Sequence, residues 1–593
     1  MGIKQKAEEK MISMSKNIAR LAVTAGLTAA LSFGGVMAPV TMAFAAGAAG
    51  STVTFNDPTY QETTTYKGIQ IFTANVSDSA VTNIQWAGSS QDEKDAIRDV
   101  VVGAIDEAVK AKDPAKSYSS KIAQDAAEWL NEHAETNEAT KVASDNVLNV
   151  IAKKLNTDAF SGAWKATNQG NKSLSGLAAG YWLFLTNSVA EGSNNSSKDV
   201  FTSPVYAVVD GLTDKVVTPK KSVPTVDKKI VNAKGDEELD VSDSHVGQEV
   251  TYNLYGTIAD NYDSYGTYFY QFSDQLSKGL TLQNGFKATL YANKDLAQED
   301  INHANGIDVT NSFTQSPESE DPATGNKTTT WTCENLKREK RVAAGSCIVV
   351  SYTAKINSEA TVGYNAGNTN TVKLKYSNNP LTTDTGTTVP DEVKTYTYGL
   401  KLNKVDLGTE KALPNAQFTI KVKVAADSSL KGKYVHLDGT LGDDAYKFTT
   451  GDDGTFAVKG LGAGTYTVEE TDAPENYDKV VSFDFTIKPK NESGTTGESS
   501  SADKYELTAP SDQVIIGKPD DKRGDNKLEA KTNTATNDDG TFNITVGDTK
   551  HVGLPLTGLN GVTFTWIAGG AVLCIGVAHL IRSRKQAEES EQE

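Results

Sequence analysis

The chain has 593 residues, more than one hydrophobic core organises, and this size predicts three or four domains. A formal net charge of −18 and only three cysteines exclude a basic nucleic-acid surface, a disulfide-dense scaffold and a Cys-based zinc cluster. Six scattered histidines without HxxxH or HExxH spacing leave little for a catalytic metal, and no metal or cofactor is expected.

Residues 1–45 read as a secretory signal. Lys4, Lys6, Lys10, Lys16 and Arg20 form a basic leader, an apolar stretch covers 21–40, and Ala43-Phe44-Ala45 offers an A-x-A cleavage site. The first block, 46–217, predicts a β-domain with a helical insertion. Ile69 and Ile71 alternate with polar neighbours in a strand over 66–72. Ile97, Val101, Ala104, Ile105 and Ala108 share one helical face. Ile122, Ala126, Trp129 and Leu130 share a second, and Leu148, Ile151, Ala152 and Leu155 a third. Strands return at 181–185 and 204–209. Val216-Val217-Thr218-Pro219-Lys220, followed by Lys221, then joins this block to the next.

The middle block, 221–392, predicts strands over 248–254, 267–272 and 348–354, separated by Gly/Asn/Asp-rich turns. Alternate residues of a strand share a face. Val226, Lys228 and Ile230 share one, as do Tyr270, Phe272, Asp274 and Leu276, and Val372, Leu374, Tyr376 and Asn378. Asn379 reaches that face only if a bulge precedes Pro380. Cys333 and Cys347 predict a disulfide closing a hairpin if the domain matures outside the cell, with two free buried thiols as the alternative.

The third block, 393–553, predicts strands over 398–405, 417–422, 455–458, 466–470 and 542–546, with a flexible Ser/Gly/Glu-rich loop at 490–503. The chain is therefore expected to be mainly β, built from tandem immunoglobulin-like Greek-key sandwiches. Tyr398, Leu400, Leu402 and Lys404 share a face, as do Tyr466, Val468 and Glu470, and Phe542, Ile544, Val546 and Asp548. A lysine among apolar residues loses its charge more readily, and a carboxyl there keeps its proton. Such a pair can form an amide once, aided by a neighbouring acid, which is self-modification rather than enzymatic turnover. The first block lacks the set. Its Gly176-Leu177-Ala178-Ala179-Gly180 echoes Gly460-Leu461-Gly462-Ala463-Gly464, but Thr186 stands where Glu470 stands, and 204–209 holds no Asn. No cross-link is expected there.

Residues 554–593 carry Leu554-Pro555-Leu556-Thr557-Gly558, an apolar span over 562–581 that includes Cys574, and Arg582-Ser583-Arg584-Lys585. This order resembles the cell-wall sorting signal of Gram-positive surface proteins. It implies cleavage by a sortase between Thr557 and Gly558 and transfer of the Thr557 carbonyl to an amine. Tyr466-Thr467-Val468-Glu469-Glu470-Thr471-Asp472-Ala473-Pro474 with Tyr477 resembles the E-box of sortase-assembled pilins. Leu402-Asn403-Lys404-Val405-Asp406 and Leu413-Pro414-Asn415-Ala416-Gln417-Phe418 resemble the opening of a Cna B-type domain.

The resemblance implies isopeptide bonds Lys404–Asp548, assisted by Glu470, and Lys228–Asn378, assisted by Asp274, with Asn379 left open. Val216-Val217-Thr218-Pro219-Lys220 resembles the pilin motif, whose lysine receives the Thr carbonyl of another subunit; Lys220 is that acceptor, with Lys221 left open. The expected protein is the secreted, wall-anchored major subunit of a pilus, joined head to tail through Thr557 and Lys220 by a class C-type sortase. Its expected partners are the sortase, identical subunits, minor pilins, peptidoglycan, and a host glycan or matrix component. A monomeric wall-anchored adhesin or a minor tip or base pilin is the alternative.

Overall fold

The computed structural model describes residues 50–550 apart from 58–61, 78–79, 134–142, 190–199, 219–221, 364–366, 488–504, 509–513 and 518–540. Residues 1–45, Lys220, Lys221, the loop 490–503, Leu554, Pro555, Leu556, Thr557, Gly558, the span 562–581 and Cys574 therefore lie outside the described residues. No helix among the described residues is long and apolar enough to cross a membrane. The fold is mainly β, arranged as stacked sheets with helices concentrated near the N-terminus.

In the first block, strands Ala80–Trp86, Thr65–Ser77, Gly180–Ser188 and Val205–Val209 make one sheet in that order. Ser173–Leu177, Ser51–Phe55 and Lys215–Val217 make a smaller one. Helices Gln91–Lys112, Ala123–His133 and Val147–Leu155 pack their apolar stripes on the larger sheet. The first helix starts where Ser90 accepts the N–H of Glu93, and it carries Asp92 and Glu93 in its first turn and Lys110 and Lys112 in its last, as the helix dipole favours. Ile122, expected on the buried face of the second helix, is 61% exposed. The helix begins one residue later, so Ile122 escapes its periodicity.

In the middle block, a six-stranded sheet runs Glu238–Leu239, Val226–Val231, Glu249–Thr257, Cys347–Ile356, Leu280–Tyr291, Ile307–Asp308. It faces a sheet containing Asp391–Tyr396, Asn368–Ser377, Tyr270–Leu276 and Lys327–Cys333 as neighbours. The expected strand at 267–272 begins at Tyr270. One continuous core, including Tyr252, Phe272, Trp331, Tyr352 and Leu374, fills the space between the sheets.

The expected Cys333–Cys347 disulfide is not formed; both thiols are free and buried. They do not bracket a hairpin. Cys333 closes a strand of one sheet and Cys347 opens a strand of the other. Cys333 joins the central core, whereas Cys347 packs in a separate cluster with Tyr255, Tyr291, Ala297 and Val349.

In the third block, Thr455–Leu461, Tyr398–Asp406 and Thr541–Lys550 lie side by side in one sheet. Gln417–Val424, Gly464–Asp472 and Phe483–Ile487 lie side by side in the other. Tyr398–Asp406 and Thr541–Lys550 pair in parallel, so an early strand lies against the last described one. Only Thr397 separates Asp391–Tyr396 of the middle sandwich from Tyr398–Asp406 of the third.

Candidate cross-linking sites

The third sandwich places its site by register. Tyr398, Leu400, Leu402 and Lys404 alternate inward, all with no measurable exposure. Lys404 pairs with Val546 and Asp406 with Asp548, so Asp548 is one step along the same face of the adjoining strand. The Lys404 Nζ donates to Asp548 Oδ1, and to Glu470 Oε2 at 3.1 Å. Glu470 reaches in from the opposing sheet, where its Oε2 also accepts the N–H of Val480 at 2.8 Å. The Lys404 ammonium lies 5.6 Å from the Phe418 ring centroid.

One cation here meets two buried carboxyls. Burial pushes the Asp548 carboxyl up to about 7, against the opposing pull of Lys404. Glu470 Oε1 also stands 3.0 Å from the Lys404 Nζ, so both acids converge on the one cation.

The middle sandwich arranges its site differently. Lys228, with no measurable exposure, stands on Val226–Val231 in the six-stranded sheet and reaches across the core. On the opposing sheet, Val372 pairs with Asp274 and Asn370 with Leu276. The Nζ donates to Asp274 Oδ2, to Asn370 Oδ1 at 2.5 Å and to the Tyr352 hydroxyl at 3.1 Å. An ammonium has three protons, and all three are used. Burial lowers Lys228 to about 8 and raises Asp274, each opposed by attraction to the other.

The structure brings Lys228 and Asp274 together, but the side chain beside them is Asn370, not Asn378. The two asparagines share parity, yet they stand eight positions apart, about 26 Å at the usual rise of an extended chain. Asn378 lies past the end of the strand; its N–H donates to Asp384 and its carbonyl accepts the N–H of Phe201. Asn379 is tied into the following turn, with its amide donating to Asp384 and its Oδ1 accepting the N–H of Leu381. The inward parity of Ile348, Val350, Tyr352 and Ala354 was the available signal for Tyr352, which sequence reasoning missed.

In the first block, no lysine is buried among the described residues, and Thr186 accepts the N–H of Thr202 at 3.0 Å. Among the described residues no group of three His, Cys, Asp or Glu is placed to hold a metal ion.

Residues 398–501 match the family model described as the SpaA prealbumin-like fold domain. The matched stretch carries Lys404 and Glu470 and stops short of Asp548. No curated protein sequence matches the chain. Among solved structures the chain is similar to the full-length major pilin SpaD from Corynebacterium diphtheriae, with 17% identity, coverage of 85% of this chain and 98% of that one, and a TM-score of 0.43. It is similar to the T6 backbone pilin of serotype M6 Streptococcus pyogenes, at 16% identity, 85% and 99% coverage, and a TM-score of 0.46. It is also similar to the RrgB pilus protein from Streptococcus pneumoniae, at 15% identity, 67% and 85% coverage, and a TM-score of 0.37.

The two sites can support the same chemistry with different geometry. In the sandwich containing the prealbumin-like domain, Lys404 and Asp548 occupy neighbouring strands of one sheet. In the middle sandwich, Lys228 and Asn370 occupy opposing sheets. Attack of the lysine amine on the acceptor carbonyl would release water from Asp548 and ammonia from Asn370. Folding already holds the reacting groups in contact, which removes the entropic part of the barrier.

Proposed function

We propose that this chain is the repeating subunit of a covalent surface fibre of the pilus type. The observation that carries the reading is the pair of wholly buried lysines, each held against an acceptor side chain and an assisting acid. An ordinary core has no use for two desolvated ammonium groups, since a buried ion pair rarely stabilises more than apolar packing would. A chain that must carry tension does, because each site can close an amide bond. Lys404 attacks the protonated Asp548 carboxyl while Glu470 holds the mobile proton. Lys228 attacks Asn370 while Asp274 accepts the first proton.

Between subunits, a class C-type sortase joins the Thr557 carbonyl to Lys220 of the next copy and finally to peptidoglycan, with minor pilins added to the same fibre. The fibre supports adhesion to host or neighbouring cells. Lys220→Ala is expected to abolish the high-mass ladder on denaturing gels and to leave a folded monomer. A ladder that persists moves the acceptor to Lys221 or elsewhere. A wild-type chain that never forms one makes the protein a monomeric adhesin instead.

A further inference from the structure

In the middle sandwich the leaving group poses a problem that Asp274 does not solve by contact. An amide nitrogen must gain a proton to depart as ammonia. The Asn370 Nδ2 donates to the hydroxyl of Tyr352 at 2.7 Å. That orientation follows from the site itself, since the Nζ can only donate and so draws Oδ1, turning Nδ2 towards Tyr352. The same hydroxyl accepts from Lys228 Nζ at 3.1 Å and donates to Asp274 Oδ1 at 2.7 Å. One phenol oxygen thus touches the nucleophilic nitrogen, the leaving nitrogen and the acid. Its ring is fixed by Trp331 at 4.9 Å and Tyr252 at 5.5 Å between centroids.

We infer that Tyr352 is a catalytic proton shuttle for the Lys228–Asn370 bond, carrying a proton from the attacking to the departing nitrogen. The inference rests on the reading of Lys228 and Asn370 as an amide-forming pair. Lys228 gives its first proton to Asp274 Oδ2, and the free amine adds to the Asn370 carbonyl carbon. Asp274, now protonated, is a weaker acceptor, and the Tyr352 O–H turns to the nitrogen that has lost its amide conjugation. Tyr352 delivers its proton there and takes the second proton of Nζ. The Cγ–Nδ2 bond breaks and ammonia leaves. Nζ retains one hydrogen in the new amide, Asp274 ends as the neutral acid, and Tyr352 is unchanged. The Lys404 site has a different arrangement, since there Glu470 and Asp548 both contact the amine directly.

Freshly synthesised full-length chain, followed by intact mass under denaturing conditions, tests this. Tyr352→Phe is expected to slow the ammonia loss at least about 100-fold, the usual reach of general acid–base catalysis. Water loss at Lys404–Asp548 in the same molecules continues at the wild-type rate and serves as an internal clock. A crystal structure of Tyr352→Phe is expected to show Lys228 Nζ still against Asn370 Oδ1 with no bond between them. A wild-type rate of ammonia loss overturns the inference, and so does a displaced, misaligned pair, which would make Tyr352 a positioning residue. If the variant does not fold, the wild-type rate in mixtures of light and heavy water decides. Two protons in flight through the phenol give a curved dependence on deuterium fraction, whereas a linear or absent dependence overturns the shuttle. A wild-type chain that never loses ammonia overturns the parent reading and the shuttle with it, and is told apart from failure of the shuttle alone because the wild type itself is then unchanged in mass.

Discussion

Replacing Lys404 by alanine is expected to lower the unfolding temperature of the third sandwich by about 20 °C. Two losses combine. Removing the cation leaves Asp548 and Glu470 buried without a counter-charge, and breaking a buried pair in this way costs roughly 3–5 kcal/mol. The cross-link would also close a long loop, spanning a sequence separation of 144 residues, and such a closure restricts the unfolded chain by roughly 5 kcal/mol. For a domain of this size each kcal/mol shifts the midpoint by about 2–4 °C. Asp548→Ala separates the terms, because Lys404 keeps Glu470 as its partner while the bond cannot form; its shift should be distinctly smaller. Lys401→Ala, on the opposite face of the same strand, should move the midpoint by little more than a degree or two. Calorimetry of the three variants measures all of this. A Lys404→Ala chain that melts within a few degrees of wild type would show that neither the bond nor the charge cluster stabilises the fold.

Alternation along strands made much of the architecture readable. The runs ending in Lys404, Glu470 and Asp548 each alternate cleanly, and the structure brings these three side chains into one cluster. Alternation reports which face a residue occupies and says nothing about its height on that face. Asn370 and Asn378 have the same parity, so only the pairing of Asn368–Ser377 with Tyr270–Leu276 distinguishes them. That register is a long-range property, set by how distant strands stack. The same limit explains the cysteines. Their spacing suits a hairpin, but the segment between them passes from one sheet to the other. Tyr352 was passed over for a third reason. A tyrosine in an apolar run reads as core packing, and only the positions of its neighbours reveal that its hydroxyl completes a polar network.

The position of the acceptor decides both the mass of the protein and the path of tension through it. The wild-type secreted chain is expected to weigh less than its sequence by one ammonia and one water, with no loss of two hydrogens because both thiols of the middle sandwich stay free. Asn370→Ala should abolish the ammonia loss and preserve the water loss. Asn378→Ala should preserve both, since its backbone, tied to Phe201 and Asp384, lies past the end of the strand that carries Asn370. Asn370→Asp should convert the ammonia loss into a second loss of water. Persistence of ammonia loss in Asn370→Ala, with its disappearance in Asn378→Ala, would return the acceptor to Asn378. With the bond at Asn370, a pull along the chain enters at Val226–Val231, crosses to the opposing sheet through the amide, and leaves through the rest of Asn368–Ser377 and Asp391–Tyr396. Residues beyond Asn370 then lie outside the closed loop. The 27 residues 371–397, up to the start of the third sandwich, can extend by up to roughly 90 Å. The third sandwich should yield far less, because Asp548 stands near the end of its last described strand. Under force the middle sandwich is therefore expected to give one finite extension step, and Asn370→Ala should lengthen it to the full sandwich.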